Sequence, residues 1–285
     1  MRPILFEWGP VVVPSFGFFM AIGFLLGSFV VWRRLRDDYD EEKLVSLTLA
    51  VGMSALVGAR MAAILVNWEK FSGGLVRWLS LVDYPGLSFY GGVAGFFVGA
   101  CLFALRARWK LWEVWDGLVE GGLWFTVLAS LGGFLSGTGV GKTTNLAWGI
   151  SFPGIGGARH PVMLYLAILA AFLLLILEWV KRNYRKFAWY KSGRRGFVGL
   201  FGFLGLFVVI FVLEGFKDGG VYLWSFKVEQ YISMGVLACT VVSVYKISGR
   251  KLKEDKKDVV LKFGSVGKML AVSRNIVRRK KKRHE

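Results

Sequence analysis

Cysteine, histidine, proline and acidic residues are all scarce in this 285-residue chain: two Cys, two His, six Pro, and 19 Asp and Glu against 37 Lys and Arg. Cys101 and Cys239 each sit inside an apolar run, where they read as small hydrophobes; they found neither a disulfide framework nor a metal pair. With so few sulfur and imidazole donors the chain lacks a ligand set for zinc, so no metal is expected, and no cofactor. The shortage of proline beside 37 glycines argues for close helix packing in lipid rather than disorder.

Charged residues make up only 20% of the chain and hydrophobic residues 55%, and the apolar residues come in long runs. The runs cover approximately 11–32, 44–68, 87–105, 111–135, 161–180, 197–213 and 221–245, the last interrupted by Lys227 and Glu229. Each is near the roughly 20 residues that a hydrocarbon core demands of a helix. The expected fold is therefore an all-α integral membrane protein with about seven transmembrane helices. The first run is long, has no small-residue cleavage site and ends in Arg33 and Arg34, so it is expected to stay as an anchor.

Seven spans put the termini on opposite sides, and basic residues orient them. The first, third and fifth loops with the tail hold 29 Lys and Arg, the N-terminus with the other loops 7, and Arg60 lies inside a span. The N-terminus is expected outside and the C-terminus in the cytoplasm. The net charge of +18 thus reports topology rather than nucleic-acid binding, and no nucleic-acid partner is expected. Residues 1–246 form one membrane domain and 247–285 a basic tail. In that tail Val259, Phe263, Val266, Leu270 and Val277 recur at helical spacing among basic residues. It is expected to lie on anionic lipid of the cytoplasmic leaflet, each basic residue contributing roughly 1 kcal/mol. No internal repeat is convincing, which counts against an inverted-repeat transporter.

The stretch SGTGVGKTT at 136–144 imitates a nucleotide-binding loop, but Ser136 stands where the first Gly belongs and a membrane span precedes it. A Gly-rich turn leaving the membrane is the better reading. Ionisable groups at membrane depth are functional candidates. Arg60 lies about eight residues, roughly 12 Å, from the outer end of the second run. Topology fixed by loop charge alone places Arg60, Tyr90, Arg159, His160, Glu214 and Lys217 all in the outer half. Asp116, near the cytoplasmic start of the fourth run, stands apart and reads as structural. Such a cationic outer mouth suits an anionic head group, whether in an enzyme, a lipid-binding protein or a transporter.

Six motifs in order resemble one family from residue 5 to about 245: FEWGPVVVPSFGFFMAIGF at the first span, GARMAAIL (58–65), GLSFYGGVAG (86–95), LAWGISFP (146–153), RHPVMLY (159–165) and EQYISMG (229–235). The chain resembles the prolipoprotein diacylglyceryl transferases. The resemblance implies transfer of diacylglycerol from phosphatidylglycerol to the lipobox cysteine thiol of a prolipoprotein at the outer face of the bacterial cytoplasmic (inner) membrane, with release of glycerol phosphate. It implies phosphate binding by Arg60, Arg159 and Lys217 around the matching Gly141, with His160 as base and Tyr90 and Glu214 beside the chemistry. The chain also departs from the family. Tyr90 stands for its His, Ser130 and Ile210 for Arg, Gly133 and Ser136 for Asn, Thr138 for Glu, and Lys217 for a further Arg. A catalytically silent relative that binds phosphatidylglycerol or prolipoprotein is the alternative, a membrane transporter a remoter one.

Overall fold

The computed structural model describes residues 1–9, 11–80 and 84–251. Among these residues seven helices are long and apolar enough to cross a membrane. They are α1 (Ser15–Leu35), α2 (Glu41–Val66), α5 (Phe89–Ala107), α6 (Leu111–Leu135), α7 (Val162–Asn183), α8 (Phe197–Phe216) and α9 (Val228–Ile247), with the short α3 (Trp68–Phe71) and α4 (Leu75–Leu79) after α2. Their boundaries follow local chemistry. Asp40 caps α2 by accepting the Lys43 N–H at 3.2 Å, and Glu41 and Glu42 complement its first turn. Arg33 and Arg34 occupy the last turn of α1, and Arg108 ends α5 in the left-handed region at φ 56°.

The α8 helix is the centre of the bundle: 56% of its apolar window is buried, against 17–39% for the others. The large apolar side chains left exposed on the outer helices, such as Leu25, Phe29, Leu65, Leu102 and Leu175, face the lipid. Where α1 crosses α6, Gly27 and Gly121 bring the backbones together. A Cβ on Gly27 would lie 2.7 Å from the Gly121 carbonyl oxygen, and one on Gly121 would lie 2.6 Å from that of Gly27. This is the small-residue packing that lipid favours.

The fold is mostly helical rather than wholly so, since three small antiparallel sheets gather on the face that carries the N-terminus. The β1 strand (Ile4–Trp8) pairs with β2 (Val11–Pro14) before α1. Between α6 and α7, β3 (Val140–Thr143), β4 (Ile150–Phe152) and β5 (Ile155–Pro161) form a sheet in the order β3-β5-β4. Between α8 and α9, β6 (Tyr222–Leu223) and β7 (Phe226–Lys227) make a hairpin turned by Trp224 at φ 56°. Two expected runs are therefore shorter as helices. The first loses 11–14 to a strand built on three β-branched valines, and the seventh starts at Val228. The opposite face holds a cavity of about 360 Å³ lined by Arg34, Asp38, Glu113, Asp116, Lys181 and Arg195 among others. Ion pairs knit it together, with Lys181 3.2 Å from Glu120 and Arg195 2.5 Å from Asp38. Asp116 is structural as expected of it, accepting the N–H groups of Gly196 at 2.9 Å and Gly199 at 2.6 Å where α8 begins. Residues 252–285, most of the basic tail, lie outside the described residues.

Candidate functional site

Arg159, His160, Glu214 and Lys217 converge on a junction between β3, β5 and the end of α8. Gly141 is its pivot, bridged to Lys217. A Cβ there would lie 2.5 Å from the His160 carbonyl oxygen, 2.6 Å from the His160 Cβ and 3.0 Å from the Phe216 carbonyl oxygen. Only glycine lets the three segments close this tightly. The nine residues of SGTGVGKTT run from the end of α6 into β3, so no helix follows to cradle a nucleotide phosphate.

Arg159 and His160 are neighbours on β5, and successive strand residues project to opposite faces. Arg159 donates through Nη1 to the Asp218 carboxylate at 2.5 Å and to the Gly141 carbonyl at 3.3 Å, and through Nε to the Gly156 carbonyl at 3.3 Å. Its Nη2 has no partner among the described residues. The Arg159 hydrogen bond, followed by the Gly219 N–H, holds the Asp218 carboxyl below the usual carboxylate range. His160 takes a different environment: its Nδ1 is 3.2 Å from the Tyr165 hydroxyl and its ring packs 5.1 Å from Phe216.

Glu214 and Lys217 close the last turn of α8, the ammonium 3.2 Å from the carboxylate. Glu214 is buried and Lys217 half-exposed, so the carboxylate fixes the cation and leaves two of its N–H groups free. Lys227 reaches the same spot from the far side of the hairpin, donating to the Lys217 carbonyl at 2.6 Å. One turn and a half further along α9, Ser233 meets the Tyr90 hydroxyl at 3.1 Å, which ties α5 to this end of the bundle. Between them, the Glu229 Oε2 is buried without a hydrogen-bond partner.

Arg60 is placed apart from this cluster. Its Nε donates to the Trp78 carbonyl at 2.8 Å, Nη1 to Tyr84 and Gly86 at 2.9 Å, and Nη2 to Arg77 and Ser80 at 2.8 Å. A guanidinium has five N–H groups, so every one is used on the connection between α2 and α5. In this conformation Arg60 has no donor left for a phosphate, which departs from the role the resemblance implied for it. The cause lies in the loop, whose carbonyls turn inward over a buried cation stacked 4.7 Å from the Phe71 ring.

The departures from the family pattern are filled by packing. Ser130 and Ile210 are buried at 4% and 5% exposure, so neither position carries a cation. Gly133 accepts the Thr138 hydroxyl at 3.0 Å, and the Ser136 hydroxyl is buried without a partner. Asp218 and Lys227 escaped the motif reading. Lys227 had left a signal, as a charge interrupting an apolar run. Asp218 had left none, because its meaning depends on the fold bringing it to Arg159. Among the described residues no group of His, Cys, Asp and Glu could hold a metal ion.

The family model described as prolipoprotein diacylglyceryl transferase matches residues 3–246. The chain is 23% identical over 258 residues to the phosphatidylglycerol–prolipoprotein diacylglyceryl transferase of Finegoldia magna, covering 90% of this chain and all of the relative. The protein of the same description from Synechococcus elongatus is 25% identical over 90% of this chain and 91% of its own length. That from Pasteurella multocida is 26% identical over 84% and 87%. The match spans nearly all of the helical bundle and all three sheets, and the chain belongs to the prolipoprotein diacylglyceryl transferase family.

Proposed function

We propose that this protein transfers a diacylglyceryl group from phosphatidylglycerol to the lipobox cysteine thiol of a prolipoprotein, maturing lipoproteins at the outer face of a bacterial cytoplasmic membrane. The observation that carries the proposal is the Gly141 junction, where Arg159 and Lys217 are held by acidic partners yet keep free N–H groups. The face that bears the sheets and the N-terminus is then the outer one, in keeping with the basic loops on the other side.

The chemistry follows from these groups. A cysteine thiol, of pKa about 8.5, loses its proton to become the nucleophile. Its sulfur attacks the glyceryl carbon, the bond from that carbon to the phosphate oxygen breaks, and glycerol phosphate leaves with a second negative charge. Arg159 and Lys217 stabilise that developing charge with charge-assisted hydrogen bonds. Glu214 orients Lys217, and His160, steered by Tyr165, takes the thiol proton. Tyr90, held by Ser233, lines the approach, and Arg60 keeps the α2–α5 connection in shape beside it. The basic tail rests on the anionic inner leaflet.

A second reading has its own support: the apolar packing around Ile210 and the small Ser130, where the family carries Arg, suits a relative that binds phosphatidylglycerol without reacting. Phosphatidylglycerol labelled in its head group decides between the two. Release of labelled glycerol phosphate that depends on an acceptor thiol supports transfer. Lipid binding without release supports the silent relative.

A further inference from the structure

Lys227 poses a problem of charge. It is 1% exposed, yet no carboxylate among the described residues forms an ion pair with it. Its ammonium makes one hydrogen bond, to the Lys217 carbonyl at 2.6 Å, and lies 5.6 Å from the Tyr222 ring. A buried cation is costly unless it is paired, and an ammonium carries three donors, so two are unspent. The carboxylate two residues away does not spend them: the Glu229 Oε2 is itself buried and unpartnered. Gly220 lies against both, since a Cβ on it would be 3.2 Å from the Lys227 Cδ and 3.7 Å from that Oε2.

The position of Lys227 gives the unspent donors a use. It grips the backbone of Lys217, while the next residue, Asp218, grips Arg159. Three cations from three separate elements are thus set around the two-residue segment 217–218 and the Gly141 bridge. Among the described residues each keeps two N–H groups without a partner: Arg159 at Nη2, Lys217 and Lys227 at Nζ. Nothing equivalent comes from positions 130 and 210, which are Ser and Ile.

We infer that Lys227 is a third phosphate-binding cation of the site, entering from the start of α9 to supply charge that Ser130 and Ile210 do not. The ligand class is the phosphodiester of an anionic phospholipid. The inference rests on the function proposed above and assigns a residue that the motif comparison leaves out.

The test uses the full-length protein in nanodiscs, with binding of phosphatidylglycerol and of phosphatidylcholine measured by native mass spectrometry, and with thermal unfolding followed in parallel. Lys227→Met keeps the stem and removes the charge. It is expected to weaken phosphatidylglycerol binding about tenfold or more, as for loss of a charged hydrogen bond. Phosphatidylcholine binding and the unfolding temperature stay within error or the latter rises, because replacing a buried charge by an apolar group is often neutral or stabilising. Lys227→Arg restores phosphatidylglycerol binding to within about threefold. If Lys227→Met instead lowers the unfolding temperature and leaves phosphatidylglycerol binding intact, Lys227 is only a staple for the end of α8, and the inference fails. Equal loss of both lipids also overturns it. A wild-type protein that shows no preference for phosphatidylglycerol overturns the inference and the proposed function together, and that control is read before any variant.

Discussion

Replacing Arg60 separates a structural from a phosphate-binding cation. The side chain is 8% exposed and makes five charge-assisted hydrogen bonds, all to carbonyls of 77–86. At about 1.5–3 kcal/mol each these would sum to a figure far above any real effect, because bonds in one network are not additive and water repairs the outermost carbonyls. For Arg60→Met a loss of about 3–5 kcal/mol in local stability is expected, on the scale of breaking a buried charged network. Arg60→Lys, with three tetrahedral donors in place of a planar five, recovers at most part of it. The assay is hydrogen exchange in nanodiscs, following the amides of Ser80 and Ser88, which donate to the Val76 and Ala59 carbonyls. A loss of 3 kcal/mol raises the open population roughly 150-fold, so exchange at these amides accelerates by that order while amides deep in α8 stay protected. Unchanged exchange at Ser80 and Ser88 with phosphatidylglycerol binding abolished would refute the reasoning and return Arg60 to the phosphate.

Three further outcomes follow from the same structure. Gly141→Ala drives a methyl group against the His160 and Phe216 backbone, so transfer activity falls sharply and stability drops by about 1–3 kcal/mol in thermal unfolding. Asp116→Ala strands the two N–H groups at the start of α8 and lowers stability by about 2–4 kcal/mol, with phosphatidylglycerol binding retained. The Asp218 carboxyl has a depressed pKa, so its bond to Arg159 is fully present above the ordinary Asp value of about 3.9 and is lost as pH falls through the depressed one. The difference in unfolding temperature between wild type and Asp218→Asn should therefore be flat above about pH 5 and vanish in stronger acid.

The seven spans were legible because lipid sets a length that the apolar runs must meet, and because each run carries few or no charges over that length. Their ends were less so. At 11–14 the valines suit a strand as well as a helix, and only pairing with Ile4–Trp8 decides for the strand. The hairpin before α9 hides in the same way, since Val221 and Leu223 prolong the apolar run beyond the helix that starts at Val228. At the site, charge and depth pointed to Arg159, Glu214 and Lys217, and the fold brings these three together with Gly141. It sends Arg60 elsewhere, because the carbonyls that capture it belong to a connection with no recognisable pattern of its own. Lys227 shows the reverse case. A charge that spoils an apolar run reads as an uncertain boundary, and its meaning emerges only from its burial without an ion pair among the described residues.

The most direct test is reconstitution of the purified protein with phosphatidylglycerol and a lipobox peptide, with the peptide followed by mass spectrometry. The account predicts a diacylglyceryl mass gain on the cysteine, absent when that cysteine is replaced by serine. No mass gain, with another member of the family active in the same membranes, would contradict the proposed transfer and leave a protein that binds the lipid without reacting.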